Sequence, residues 1–192
     1  MIRDVAIEDL LVCPSEENFG GIATRIWYAP ITWFSIFILP SSDEYEDSRL
    51  IDRDSITIIT GKKLKFIDVY LDQNSLSEKS TGTMRALKQV SELSFSILGM
   101  TAKNLGFISK VANTGLVFFI PDSNGRIWVL GNKQNPSYMK ETEATSGRKY
   151  DDDSLTTIGF SANTPLYIYN GDISNILSIG AFNKGFNNGF KI

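Results

Sequence analysis

The sequence predicts a mainly β chain: a β-sandwich or partly closed barrel with one flanking α-helix and a long exposed hairpin arm. Three observations predict it. Short runs rich in Ile, Val, Phe and Tyr recur along the 192 residues, about nine or ten of them, the length and composition of strands. Pro, Gly, Asn and Asp punctuate the runs where hairpin turns belong. Only one stretch, 101–112, carries apolar residues at helical spacing.

In chain order, residues 1–13 form a short helix or strand and 15–21 a turn. Residues 22–29 read as β. Pro30 ends that run, and 31–39, rich in Ile and Phe, is a second strand closed by Pro40. The stretch 41–54 sets Asp43, Glu44, Glu46, Asp47, Asp52 and Asp54 against Arg49 and Arg53, six acids to two bases, a local charge of -4. Such a run reads as a solvated loop; its functional reading is an acidic surface facing a passage or a partner. The Asp-x-Asp-x-Asp-Gly spacing of a calcium loop is absent.

Residues 56–60 form a short strand and Gly61-Lys62-Lys63 a turn. From 64 to 71 Leu64, Phe66, Asp68 and Tyr70 alternate with Lys65, Ile67, Val69 and Leu71. The polar stretch Asp72, Gln73, Asn74, Ser75, Leu76, Ser77, Glu78 and Lys79 reads as the tip of an extended hairpin that returns through 80–89. An arm this polar buries little and is exposed and mobile in a lone subunit. In 90–98 Leu93, Phe95 and Ile97 face one way and Glu92, Ser94 and Ser96 the other, a strand with one wet face. The helix over 101–112 has Thr101 as N-cap, a stripe of Leu105, Ile108 and Val111 or Ala112, and an end at Asn113-Thr114-Gly115. Residues 116–120 form a buried strand, Pro121 to Gly125 a hairpin turn, 126–130 its partner. A polar strand over 138–145, a loop over 146–154 and strands over 155–162 and 166–169 complete the set.

Composition narrows the chemistry. With 42% hydrophobic and 21% charged residues the chain can bury a proper core. A net charge of -3 with no basic cluster speaks against a protein that grips nucleic acid. There is no His and a single Cys, Cys13. Ser-His-Asp and Cys-His catalysis are therefore excluded, as is an internal disulfide. Cys13 precedes Pro14 with no basic neighbour to activate it. No phosphate-cradling glycine motif occurs. The 22 acids read as surface residues, and Trp27, Trp33 and Trp128 lie inside apolar runs as core residues. No cofactor or metal is expected, and no enzymatic activity. The opening residues lack a signal-peptide pattern and the longest apolar stretch, Ile31 to Leu39, is too short to cross a membrane as a helix. Synthesis in the cytoplasm without membrane insertion is the expectation.

One ordered pattern remains. It runs from Gly61-Lys62-Lys63-Leu64-Lys65-Phe66 through Ser80-Thr81-Gly82, Ser94-Phe95-Ser96-Ile97-Leu98-Gly99 and Leu105-Gly106-Phe107. It continues with Val117-Phe118-Phe119-Ile120-Pro121-Asp122-Ser123-Asn124-Gly125, Val129-Leu130-Gly131 and Pro165-Leu166-Tyr167-Ile168-Tyr169-Asn170-Gly171. This resembles the tail tube (major tail) proteins of tailed bacteriophages, in particular the divergent type found in phages of Bacteroidetes. The likeness covers about residues 20–172. It implies one sandwich domain over 1–172, with an N-terminal extension over 1–20, a hairpin arm over 64–87 and a C-terminal extension over 173–192. It further implies six subunits closing into a ring, their inner sheets joined into one barrel, and rings stacked into a tube in the virion tail. Through that tube double-stranded DNA passes without specific contacts, alongside sheath, terminator and baseplate proteins. The interface candidates are then Asp72 to Lys79 in the arm and Phe182, Phe186 and Phe190 in the Phe-Asn-Gly tail. The alternatives are another ring component of a tail, neck or baseplate, and a sandwich that binds surface glycans or proteins through Trp27, Tyr28 or Tyr45.

Overall fold

The computed structural model of the chain describes residues 7–10 and 19–176. Within them run twelve strands: β1 (Arg25–Pro30), β2 (Phe34–Phe37), β3 (Leu50–Asp52), β4 (Ile56–Ile58), β5 (Lys65–Asp68), β6 (Ser75–Thr81), β7 (Lys88–Leu98), β8 (Leu116–Pro121), β9 (Ile127–Leu130), β10 (Tyr138–Thr145), β11 (Leu155–Ala162) and β12 (Tyr167–Asn170). One α-helix, α1 (Ala102–Val111), follows β7. The chain is mainly β and builds a sandwich; no sheet closes on itself. A six-stranded sheet has the order β3-β12-β9-β8-β1-β5, a four-stranded sheet the order β10-β11-β7-β6, and β2 and β4 form a small third sheet.

Alternation along the strands decides the layers. Ile26 on β1, Phe118 and Ile120 on β8 and Leu130 on β9 meet Leu93, Phe95, Ile158 and Phe160 from the four-stranded sheet in one buried core. Their neighbours Ala29, Val117, Phe119 and Val129 point to the opposite face, where Phe34, Ile56 and Ile58 of the small sheet cover them. β8 is therefore buried on both faces, which is why it reads as an unbroken apolar run. Phe118 sits 4.7 Å from Phe160, ring centre to ring centre, and Phe95 stacks on Phe160 at 6.1 Å, separations at which aromatic pairs attract.

The helix stands where its spacing puts it, with Thr101 Oγ1 accepting from Asn104 N at 3.2 Å. Its packed stripe is Phe107, Ile108 and Val111; Leu105 is exposed, because Phe107 reaches Tyr28 edge-on at 5.6 Å and sets the rotation. The helix ends on Ala112 in helical geometry. Gly115 serves instead as a close approach, since a Cβ there would lie 2.9 Å from Pro136 Cγ.

Four expectations are corrected. The run 31–39 is interrupted by a 3-10 turn, Ile31–Trp33, before β2 begins; Pro30 cannot donate to a continuing ladder. The acidic stretch 41–54 is not all loop: β3 lies within it, pairs parallel with β12 and buries Ile51. The segment 64–71 does not form a hairpin with the residues after it. β5 pairs with β1 in the six-stranded sheet, while β6 pairs with β7 in the other. The tip of the hairpin is accordingly 82–87, not 72–79. The polar composition of β6 hid it: an edge strand needs only one inward apolar residue, here Leu76, and is commonly polar elsewhere. The N-terminal calls at 1–6 and 11–18 and the tail beyond 176 lie outside the described residues.

Candidate assembly surface

The site grows from the four-stranded sheet. One face is buried in the core; cross-strand partners assign the other face residue by residue. Glu141 pairs with Gly159, Gly159 with Ser94 and Ser94 with Ser75, so these four share a row on the outer face. The rows beside it hold Glu143, Thr157 and Ser96, and Ser161, Glu92 and Ser77. The outer face thus carries short hydroxyls, three acids, Glu92, Glu141 and Glu143, and three bases, Lys79, Lys88 and Lys140, with Tyr138, Val90, Leu98 and Leu155 toward its ends. Gly159 keeps it flat: a Cβ there would stand 2.9 Å from Glu141 Cγ.

Glu92 ties the face together. Its carboxylate accepts from Lys79 Nζ and from Lys140 Nζ, each at 2.9 Å. The Lys79 bond, then the Lys140 bond, hold its pKa below the ordinary glutamate value, against a smaller opposing effect of desolvation, and the same contact raises Lys140. One carboxylate so spans from β6 to β10. Glu141 and Glu143 have no ion-pair partner among the described residues, and neither do Arg85 and Lys88 on the hairpin.

Among the described residues both edges of this sheet are open. β6 has β7 as its one neighbour and β10 has β11. Beyond Ser91, the last β7 residue paired with β11, the β6–β7 ribbon runs on alone to Lys88, three steps or about 10 Å, before its turn. Gly82 has a φ of +124° and an added Cβ would lie 2.5 Å from Ala86 O; only glycine fits there. Arg85 also has a positive φ, +68°. Met84 and Leu87, 90% and 59% exposed, give the turn an apolar end.

The base of the ribbon is fastened to the other layer. Arg49, in the acidic stretch, forms a two-pronged bond with Glu78, 3.0 and 3.1 Å, and donates to Leu166 O at 2.9 Å. Leu166 N donates to Glu78 Oε2 at 2.6 Å. Glu78 is therefore engaged within the subunit. Of the other predicted interface residues, Asp72 occupies a turn at φ +59° and Asn74 Oδ1 accepts from Ser96 N. Gln73 is exposed in the same crossover, while Ser75, Leu76, Ser77 and Lys79 lie along the open edge strand. Phe182, Phe186 and Phe190 are outside the described residues.

No protein-family model, curated protein or solved structure matches the chain. The geometry stands alone.

Two clefts mark the described surface, one of them on this sheet. One, about 360 Å³, lies between Ile38–Ser42 and Asp47, Leu50, Asp52 and Ser55. The other, about 340 Å³, lies at the start of β10 and is lined by Gln134, Asn135, Tyr138, Lys140 and Asn163. Trp27 and Tyr28 pack against opposite cores and Tyr45 sits elsewhere on the acidic stretch, so these three aromatics do not gather into a glycan platform. Among the described residues no group of three or more His, Cys, Asp or Glu is placed to hold a metal, and no helix is long and apolar enough to cross a membrane. The sequence reading missed the turn at 82–87 and the open edge of β10. Both left a trace: two large apolar residues in a glycine turn, and a strand of alternating polar residues with Glu141 and Glu143 facing one way.

Proposed function

We propose that this chain is a structural subunit of a bacteriophage tail tube: copies join side by side into rings, and rings stack around a channel through which double-stranded DNA passes. The observation that carries the reading is the four-stranded antiparallel sheet, with both edges open among the described residues and an outer face rich in hydroxyls. Its strand number is even, so β10 and β6 run in opposite directions, and β6 of one copy meets β10 of the next in antiparallel sense. The sheet then continues without a break, and closure removes the exposed edges that invite aggregation. The ring size of six comes from the resemblance noted in the sequence. Six copies of a four-stranded sheet make a barrel of about 24 strands, wider than the 16–18-stranded barrels that already enclose an aqueous channel.

The outer face suits a channel wall. Its charges balance, and Lys79 and Lys140 are both taken by Glu92. Phosphate therefore gains little counterion-release affinity there, and a duplex slides instead of sticking. The exposed Met84 and Leu87 offer a contact to a neighbouring ring. In this reading the protein is non-catalytic, needs no cofactor and resides in the virion tail with sheath, terminator or baseplate partners. Negative-stain electron microscopy of the purified protein at increasing concentration tests it. Rings or tubes are expected; a monodisperse monomer at high concentration excludes it. Another ring component of the tail differs only in copy number per particle.

The cleft at Tyr138 supports a second reading, a glycan-binding sandwich. A half-exposed aromatic beside the amides of Gln134, Asn135 and Asn163 is suited to a sugar's faces and hydroxyls. Saturable glycan binding by a stable monomer favours it over the tube.

A further inference from the structure

We infer that the junction between copies has one register: Ser75 of β6 lies opposite Thr145 of the next copy's β10, Ser77 opposite Glu143 and Lys79 opposite Glu141. This rests on the ring reading and deepens it by naming how the second copy docks.

Ladder alternation fixes which backbone groups are free. Ser96 O accepts from Tyr70 N and Ser96 N donates to Asn74 Oδ1, so the backbone of Ser96 points to the β6 side. By alternation Ser94 and Glu92 bond across to Ser75 and Ser77. Leu76, Glu78 and Ser80 then turn their N–H and C=O groups to the open side. The same count across β11 leaves Thr142 and Ala144 open on β10. A sound junction must set these two series against each other, and must keep outer-face residues on the outer face. Those two conditions admit only offsets of an even number of residues.

Length, tilt and charge choose among them. With Ser75 opposite Thr145, β6 from Ser75 to Ser80 pairs with β10 down to Lys140, where the bulge between Met139 and Glu141 interrupts the ladder. In this arrangement the row Glu141–Gly159–Ser94–Ser75 leads to Thr145 of the next copy, an advance of four residues per four strands. At about 3.4 Å per residue and about 4.8 Å per strand, that is a tilt of about 35°, within the range of closed barrels. An advance of two gives about 20°, too upright by the same measure. The advance runs toward the C-terminal end of β10, the sense a right-handed tilt requires with the hydroxyl face inside. Charge agrees. The β6 ribbon brings Lys79, Arg85 and Lys88, its one acid already held by Arg49. β10 offers Glu141 and Glu143, both without an ion-pair partner among the described residues. Lys79 has two further N–H donors, one of which can reach Glu141 beside its bond to Glu92.

Paired cysteines read the register directly, in a Cys13→Ser background. Ser77 and Glu143 would form a non-hydrogen-bonded pair, Cα atoms about 4.5 Å apart, within disulfide reach. The double variant Ser77→Cys/Glu143→Cys is expected to oxidise into a ladder of covalent oligomers that ends at the ring size. Ser77→Cys/Glu141→Cys and Ser77→Cys/Thr145→Cys, offset by two residues either way, are expected to cross-link at least tenfold less. Rings in the microscope with preferential cross-linking of an offset pair overturn the register and leave the ring reading intact. Absence of rings in the unmodified protein overturns both. As a check free of cysteine, Lys79→Glu is expected to lose ring formation and Lys79→Glu/Glu141→Lys to regain it; failure to regain it with a folded protein also counts against the register.

Discussion

Glu92 loses a stabilising interaction on acidification. Its pKa is depressed in the folded chain by Lys79 and Lys140. A depressed carboxylate contributes stability that is present above its unfolded-state pKa and lost as pH falls through the folded value. Urea midpoints measured from neutral pH down through the carboxylate range are expected to fall, and less steeply in Glu92→Gln, which has no such charge to titrate. An identical pH profile for the variant counts against the assignment. In the core, Phe118→Ala removes a ring that touches Phe95, Phe160 and Tyr28. A loss of about 3–5 kcal/mol is expected in denaturant unfolding, the usual cost of emptying a closed aromatic site. Tyr169 donates to Arg53 O at 2.9 Å; Tyr169→Phe is expected to cost about 0.5–1.5 kcal/mol by the same measurement.

At the scale of elements, the hairpin separates two kinds of deletion. Residues 73–80 hold the crossover and most of β6, with Leu76 packed on the core and Glu78 bonded to Arg49 and Leu166. Their removal is expected to abolish cooperative unfolding in circular dichroism. Replacing 83–86 by a two-residue Asn-Gly turn, which closes the β6–β7 ribbon with a favoured geometry, is expected to leave the melting temperature within a few degrees and to prevent stacking of rings. Retained stacking in that variant argues that the turn makes no contact between rings. The same hairpin explains what the sequence could and could not disclose. β7, β8 and α1 were readable because burial imposes a period: alternation in β7, a continuous apolar run in β8, a capped stripe in α1. β6 and β3 were not. β6 is an edge strand with a single inward apolar side chain, and β3 is three residues long inside an acidic stretch, so neither carries enough burial to mark its period. The pairing of β5 with β1 rather than with β6 is a choice between long-range partners, and local pattern does not encode it. The edge of β10 became meaningful only when the sheet order was known.

For the whole molecule, what matters is that the two rims of one sheet differ. The β6 rim is basic and extends into a ribbon; the β10 rim carries Glu141 and Glu143, which form no ion pair among the described residues. In the proposed ring two copies would meet unlike surface to unlike surface, a heterologous contact that closes into a ring or grows into a filament. Raising salt toward 1 M shortens the range of that attraction to about 3 Å. Light scattering is expected to show slower ring formation at high salt with the unfolding midpoint little changed, since the core is apolar; equal rates at low and high salt contradict a charge-steered encounter.

The Arg49–Glu78–Leu166 fastening has a mechanical meaning. A pull on the rim at β6 does not stop at that strand: it passes through a guanidinium to the acidic stretch, and through a main-chain amide to the turn leading into β12. The two slabs of the sandwich are riveted at the place where a neighbour would tug, so that bending or torsion strains both slabs together instead of peeling one strand away.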